Sequence, residues 1–299
     1  MRIPRVLVLP SVCTLANALC GFGAITLMTH ALVGVEAPHT IGPTDVKWAG
    51  YLVLLAMVFD ALDGRLARYA RATSDFGGQL DSLADAVSFG AAPAFLMNRV
   101  VVESLRVAVP QALEDVLRIA WVCAAVYLGC ALIRLARFNV ENVHEEEAHM
   151  HFKGLPSPAA AGALVSLIIV LAEFMEEGTH PRLSGVMLWV LPMVAAVLGL
   201  LMVSGIRYSH LLNLFVRRRR PISHLVLLLL GILLVVVLRE VILPLGFGAY
   251  ALSGPVLDVV RRVRGRSRRT GPAAPEPSHD ADVDTGSDES DDGPPQAPA

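Results

Sequence analysis

Four aspartates, Asp60, Asp63, Asp81 and Asp85, stand close together in a stretch that reads DALDGRLARYARATSDFGGQLDSLAD. Long apolar segments lie on both sides of this stretch. An ionisable side chain is costly at membrane depth, and those that occur there usually serve a function. The four carboxylates are therefore the first candidates for chemistry in this chain.

The spacing of these carboxylates predicts that they converge. Asp60 and Asp63 are three residues apart, and Asp81 and Asp85 are four apart. On helices, each pair therefore occupies one face. The segment 70–78 between the pairs is short and contains Gly, Ser and Thr, which suits a tight antiparallel connection. We expect the two acidic faces to meet near the cytoplasmic surface.

Converging carboxylates repel one another and take up protons unless cations balance them. Oxygen-only ligand sets suit hard divalent cations, so we expect Mg²⁺ or Mn²⁺ rather than Zn²⁺. Two such ions about 4 Å apart are the usual arrangement for displacement at phosphorus. Two alternatives stay open from spacing alone. The aspartates could form a cation or proton path in a transporter, or pair structurally with Arg65, Arg68 and Arg71.

Small residues near the aspartates are compatible with a phosphate-bearing substrate. Gly64, Ala67 and Gly77 would let a nucleotide approach the backbone closely. Arg68 lies on the same hairpin and could contact phosphate oxygens with two hydrogen bonds. These residues are candidates for binding the nucleotide part of a substrate.

Composition indicates a polytopic membrane protein. Of 299 residues, 54% are hydrophobic and only 17% are charged, and the mean hydropathy is +0.56. A spanning helix needs about 20 mainly apolar residues. This rule predicts an all-α bundle of about eight transmembrane helices, at residues 14–35, 46–69, 79–101, 116–138, 158–174, 185–206, 222–238 and 240–260. A tight reversal between the last two is expected where the apolar run is broken, by Arg239, Glu240, Pro244, Gly246 and Gly248.

The distribution of arginine predicts the orientation, because short cytoplasmic loops carry the excess of basic residues. With the N-terminus inside, the inside set includes Arg65, Arg134, Arg137, Arg217–Arg220 and the arginines of residues 261–269. The sequence thus favours an integral protein of a bacterial cytoplasmic membrane, with the active site and both termini on the cytoplasmic side. Arg217–Arg220 are interpreted as anchors to anionic lipid, and no nucleic-acid partner is expected.

The two ends of the chain are expected to differ from its apolar body. Residues 1–13 are predicted to form an interfacial segment, 14–208 the membrane core, and 209–264 two further membrane helices. Residues 265–299 are predicted to be a disordered tail, first basic and then acidic. Eight acidic residues and no Lys or Arg follow Arg269, and the net charge of −2 averages this tail with a basic body.

The acidic stretch resembles the signature of the CDP-alcohol phosphatidyltransferases, D-x2-D-G-x2-A-R-x8-G-x3-D-x3-D. All its fixed positions are matched, by Asp60, Asp63, Gly64, Ala67, Arg68, Gly77, Asp81 and Asp85. Within that family, further segments resemble bacterial and archaeal phosphatidylserine synthases. They are LANALCG at 15–21, DSLADAVSFGAAPA at 81–94, RLARFNV at 134–140, FKGLPSPAAAG at 152–162 and SGIRY at 204–208.

This resemblance implies transfer of a phosphatidyl group from CDP-diacylglycerol to L-serine, with release of CMP. It also implies two divalent metals per active site. Asp60 and Asp81 would contact both, Asp63 the first, and Asp85 the second. Asp85 would in addition be the base that accepts the serine hydroxyl proton. Gly64, Arg68 and Ser74 match positions that contact CDP in relatives, and relatives suggest a homodimer.

The acceptor alcohol is less well defined than the acidic site. Arg134, Arg137 and Lys153 are candidates for binding the serine carboxylate or a lipid phosphate. For the two arginines, the alternative is a role as positive anchors at the membrane surface. Another acceptor, such as glycerol 3-phosphate or inositol phosphate, stays open at this point.

Overall fold

The fold is taken from a computed structural model that describes residues 5–29, 41–70, 75–108, 113–144, 154–178, 180–206, 208 and 239–269. Across these ranges every regular element is helical and no strand occurs, which confirms the all-α prediction. The elements are α1 (Arg5–Thr29), α2 (Pro43–Ala70), α3 (Asp75–Asp85), a π-helical turn (Ala86–Ala91), α4 (Ala92–Ala108), α5 (Leu113–His144), α6 (Ser157–Glu177), α7 (Pro181–Val203) and α8 (Arg239–Arg269).

Five of these helices contain segments long and apolar enough to cross a membrane, which indicates an integral membrane protein. The segments are Ser11–Thr29, Glu114–Val140, Ser157–Glu177, Pro181–Val203 and Val241–Val260. The predicted spans 46–69 and 79–101 are also helical, as parts of α2 and of the stretch from α3 to α4. The predicted span 222–238 lies outside the described residues. The count of eight spans therefore stays a prediction.

Helix α6 forms much of the interior of the bundle. Its side chains are buried along most of its length, with Leu164, Ile168 and Ile169 among the most buried. Helix α1 packs along α2, α2 packs on α6, and α5 packs on α7. A Cβ added to Gly50 of α2 would lie 2.7 Å from the Ile169 side chain. The sequence thus uses glycine where α2 approaches α6 closely.

Helix α8 begins at Arg239 and runs through Pro244, Gly246 and Gly248, so the chain does not reverse at these three residues. The residues before Arg239 lie outside the described ranges, so a reversal at the start of α8 stays a prediction. Helix-breaking residues are tolerated in membrane helices where packing and local adjustments satisfy the freed backbone groups. A Cβ on Gly162 of α6 would lie 2.5 Å from the ring of Phe247, so α8 approaches α6 closely at this point.

The structure describes part of each end of the chain. Helix α1 begins at Arg5, so the predicted interfacial segment 1–13 is helical from that residue and continuous with the first span. Helix α8 extends to Arg269, so residues 265–269 are helical rather than part of a disordered tail. The rest of the tail, 270–299, lies outside the described residues.

Candidate active site

The acidic faces of α2 and α3 meet, as their spacing predicts. Carboxylate oxygens of Asp60, Asp63 and Asp81 all lie within 4.8 Å of one another. Asp63 is buried, and the other two are partly buried. Two helices thus bring three carboxylates into one cluster that could hold a metal ion.

The free oxygens of this acidic cluster fit a hard cation. Asp63 Oδ2 and Asp81 Oδ1 are buried and have no hydrogen-bond partner within the described ranges. Asp63 is hydrogen-bonded to Thr14 of α1. Buried carboxylate oxygens without a partner are costly unless a positive charge compensates them. Because all the donors are carboxylate oxygens, the set fits Mg²⁺ or Mn²⁺ better than Zn²⁺.

Asp85 lies one helical turn beyond Asp81 and differs from the other three aspartates. It is buried and interacts electrostatically with Asp60 and Asp81, but it is not part of the three-carboxylate cluster. Its Oδ1 accepts a hydrogen bond of 3.0 Å from Nδ2 of Asn17 in α1. Spacing alone did not distinguish the four carboxylates, whereas the structure gives Asp85 a hydrogen bond from a neutral amide and leaves it outside the three-carboxylate cluster.

A π-helical turn, Ala86–Ala91, follows Asp85 directly. Such turns are rare and often occur at functional sites. Two hydrogen bonds connect this turn to neighbouring helices. Ser88 Oγ in the turn donates to the backbone carbonyl of Asn17 in α1 at 2.8 Å. The Tyr127 hydroxyl of α5 donates to the backbone carbonyl of Phe89 in the turn at 3.0 Å. The backbone after Asp85 is therefore held from two sides.

Asp60, Asp81 and Asp85 line a cavity of about 460 Å³. The opposite wall comes from α5, from the start of α6 and from α8. Polar groups reach this cavity from Ser82, Arg134, Asn139, Tyr208 and Tyr250. Ser82 Oγ donates to Asn139 Oδ1 at 2.8 Å and so connects α3 to α5. The cavity combines several carboxylates with one guanidinium group.

The structure separates the three basic candidates for acceptor binding. Arg134 lines the cavity, interacts electrostatically with Asp85 and Asp60, and donates from Nη1 to Ser157 Oγ at 2.6 Å. Arg137 is exposed and does not line this cavity. Lys153 lies outside the described residues. Arg134 is thus the basic side chain that joins the aspartates.

The candidates for nucleotide binding lie around the end of α2 and the start of α3. Gly64 is on α2, one residue after Asp63, and a Cβ there would meet no described atom within 4 Å. Ala67 and Arg68 are on the last turn of α2, and Gly77 is near the start of α3. Ser74 lies outside the described residues.

Sequence reasoning assigned no role to several polar residues at the site. Asn17 and Asn139 stand in the segments LANALCG and RLARFNV, whose family resemblance was the available signal. Ser82 lies between two of the aspartates. Tyr250 carried no signal, because only the tertiary structure brings α8 to the cavity.

The molecule is thus an all-helical membrane protein with a carboxylate cluster beside a polar cavity. The family model described as CDP-alcohol phosphatidyltransferase matches residues 7–201, which is more than half of the chain. The chain belongs to that family. The match nearly coincides with the core predicted at 14–208.

Its relatives include several proteins named CDP-diacylglycerol–serine O-phosphatidyltransferase. The one from Mycobacterium tuberculosis is 36% identical over 163 residues, which are 54% of this chain and 51% of the relative. The one from Methanocaldococcus jannaschii is 34% identical over 157 residues, 52% of this chain and 61% of the relative. The one from Helicobacter pylori is 33% identical over 209 residues, 69% of this chain and 77% of the relative. The chain thus spans between about half and three quarters of their lengths.

Proposed function

We propose that this protein transfers the phosphatidyl group of CDP-diacylglycerol to the hydroxyl of L-serine, giving phosphatidylserine and CMP. The observation that carries the proposal is the cluster of Asp60, Asp63 and Asp81 beside a polar cavity, in a member of the CDP-alcohol phosphatidyltransferase family. The names of the relatives support the choice of donor and acceptor.

The cluster would hold divalent cations, Mg²⁺ or Mn²⁺. We assign two ions to the site, with Asp60 and Asp81 as shared ligands, Asp63 for the first ion and Asp85 for the second. When bound, such ions neutralise the pyrophosphate and the departing CMP. The unpartnered oxygens of Asp63 and Asp81 support this assignment.

Asp85 is the base in this proposal. The hydroxyl of serine is a poor nucleophile at neutral pH and needs a positioned proton acceptor. The proton passes to the Asp85 carboxylate while the serine oxygen forms a bond to the phosphorus that carries diacylglycerol. The bond from that phosphorus to the oxygen of CMP breaks, and CMP leaves with the bonding electrons. The separate environment of Asp85 supports a role different from that of the other aspartates.

The acceptor would be held by the wall opposite the aspartates. Arg134 has the fork geometry that suits a carboxylate, and serine brings a carboxylate. Gly64, Ala67, Arg68, Ser74 and Gly77 would surround the CDP moiety. Arg137 and Lys153 remain candidates for contact with a lipid phosphate.

The lipid chains of the donor require an apolar path beside the site. A groove of about 930 Å³ runs along α2 from Lys47 to Arg65, with Phe247 of α8 on its other side. Ala61, which lines this groove, is the residue after Asp60. We assign the groove to the acyl chains of CDP-diacylglycerol, because most of its lining side chains are apolar and it extends to Arg65 at the acidic end of α2.

The excess of arginine in the loops assigned to the inside supports a site and termini on the cytoplasmic side of a bacterial membrane. In this proposal the core at 14–208 carries the aspartates, and α8 adds Tyr250 to the cavity and Phe247 to the groove. The family resemblance supports a homodimer in the bilayer.

The test is release of CMP by purified protein in detergent with CDP-diacylglycerol and Mn²⁺ or Mg²⁺. Serine, glycerol 3-phosphate and inositol phosphate are supplied in separate reactions. We expect CMP and phosphatidylserine with serine only. Release with another acceptor and not with serine would overturn the choice of serine. If no alcohol leads to release of CMP, the alternative that the aspartates form a path in a transporter would be favoured instead.

A further inference from the structure

We infer that Asn17 is a positioning residue that fixes the Asp85 carboxylate for proton transfer. This inference rests on the proposed function, in which Asp85 is the base. Asn17 lies on α1, and its side chain is fully buried. Its Nδ2 donates to Asp85 Oδ1 at 3.0 Å. Since one carboxylate oxygen is held in this way, the orientation of the other oxygen toward the cavity is also set.

The backbone around this contact is fixed by close packing. Ser88, three residues after Asp85, donates from Oγ to the carbonyl of Asn17 at 2.8 Å. One turn further along α1, a Cβ on Gly21 would lie 2.6 Å from the Cα of Ser88. Helix α1 therefore touches the π-helical turn backbone to backbone. Asn17 and Asp85 are held at a fixed separation by two further contacts that do not involve the Asp85 side chain.

The chemistry of the Asn17 amide also points to a role in the site. Its Oδ1 is buried without a hydrogen-bond partner in the described part of the chain, whereas its Nδ2 donates to Asp85. Burying an amide with an unsatisfied acceptor is unfavourable. An apolar residue would fill the same space between α1 and α3 without that cost. The hydrogen bond that Asn17 donates to Asp85 therefore explains why an amide occupies this position.

Asn17 belongs to a wider pattern on α1. Thr14, three residues earlier on the same face, is also buried and is hydrogen-bonded to Asp63. Each of two neighbouring turns thus offers a neutral donor to one aspartate. A neutral donor orients a carboxylate without cancelling the charge that a base or a metal ligand needs.

The test compares kcat and the KM values of both substrates in the wild type and in Asn17→Ala, Asn17→Ser and Asn17→Asp. Misplacing a reacting group by about 1 Å can cost about 10²-fold in rate. We expect kcat to fall about 10²-fold in Asn17→Ala while both KM values change less than about threefold. Asn17→Ser keeps a donor and should recover part of the rate. Asn17→Asp has the same shape but places a second carboxyl group against Asp85, and the two groups would share a proton that the base must not hold, so it should be no better than Asn17→Ala.

The matched control is Thr26→Val on the same helix. Thr26 Oγ1 donates to the carbonyl of Phe22 within α1 at 2.8 Å, so this variant removes a hydrogen bond far from the aspartates. We expect wild-type kinetics for it. Thermal unfolding in detergent is measured for every variant.

The outcomes separate this inference from the proposed function. If the wild type releases no CMP with serine, the proposed function fails. If the wild type is active and Asn17→Ala and Asn17→Asp keep its kcat, the positioning role is wrong. A change confined to KM would assign Asn17 to substrate binding instead. If none of the three variants can be purified folded, Asn17 serves folding, which also overturns the inference.

Discussion

Both ends of α2 carry charged side chains, but the charges at the two ends are balanced differently. Near its start, Lys47 donates to Glu173 of α6 at 2.8 Å and also to Glu176. About 20 Å further along the helix, at 1.5 Å per residue, Asp60 and Asp63 face Asp81. Within the described residues these three carboxylates form no salt bridge, although Arg134 interacts electrostatically with Asp60. One end is balanced by close ion pairs, whereas the other carries three carboxylates with the Arg134 guanidinium nearby.

This difference distinguishes a structural charge from a functional one. The side chains of Lys47 and Glu173 are 14% and 18% exposed, and each satisfies the other. At the acidic end, buried oxygens of Asp63 and Asp81 have no hydrogen-bond partner in the described residues. Because unbalanced charge in a membrane bundle is costly, it points to a ligand that completes the site.

The largest effect is expected from Asp85→Asn. The amide cannot accept the serine proton, so turnover should fall at least about 10³-fold, which is within the range that general base catalysis contributes. The fold should persist, because the substitution is isosteric. CMP release and thermal unfolding in detergent check this. Asp115→Asn, at an exposed position of α5, is the control. Activity close to wild type in Asp85→Asn would remove the proposed base.

The aspartates and their neighbours show how much of this site the sequence could predict. Helical periodicity fixes which residues share a face, so the convergence of Asp60, Asp63 and Asp81 was predictable. The contact from Asn17 to Asp85 was not, because it depends on how α1 packs against a π-helical turn that no local signal announces.

The same limit applies to the acceptor side and to α8. Arg134 and Arg137 are three residues apart, so periodicity could not show that Arg134 would line the cavity while Arg137 would be exposed. Pro244 and its neighbouring glycines are typical of a break, yet α8 is continuous through them. Tertiary structure decided which of the two arginines lines the cavity.

A smaller effect is expected from Arg134→Lys, which keeps the positive charge but loses the planar fork. If Arg134 binds the serine carboxylate, the KM for serine should rise about 10-fold or more, because the paired hydrogen bonds are lost. The KM for CDP-diacylglycerol should change little. Arg118→Lys, at an exposed arginine of α5, provides the comparison. A rise confined to the KM for CDP-diacylglycerol would move Arg134 to the lipid phosphate.

A smaller effect on the KM for CDP-diacylglycerol is expected from a substitution in the groove along α2. Val58→Trp places a large side chain in this groove, so we expect the KM for long-chain CDP-diacylglycerol to rise by roughly 3- to 10-fold, on the order of 1 kcal/mol of lost apolar contact. A short-chain donor should be affected less. Val197→Trp, at an exposed position of α7, is the control. Equal effects on both donors would argue against acyl chains in the groove.

The smallest effect on activity is expected at the balanced end. Lys47→Met leaves Glu173 without its cation and should lower the free energy of unfolding by about 2 kcal/mol, since breaking a partly buried pair exposes an uncompensated charge. The kcat at saturating CDP-diacylglycerol should stay at the wild-type level, although Lys47 also lines the groove. Adding Glu173→Gln and Glu176→Gln should restore much of the stability. Loss of turnover in a folded Lys47→Met protein would contradict the division between the two ends.

If the acidic end of α2 binds divalent cations, purified protein should bind Mn²⁺, and electron paramagnetic resonance follows this binding. We predict saturable binding to the wild type and to Lys47→Met, and strongly weakened binding to Asp63→Asn and Asp81→Asn. Wild-type protein that binds no Mn²⁺, or an Asp81→Asn variant that binds it as the wild type does, would show that the carboxylate cluster is not a metal site.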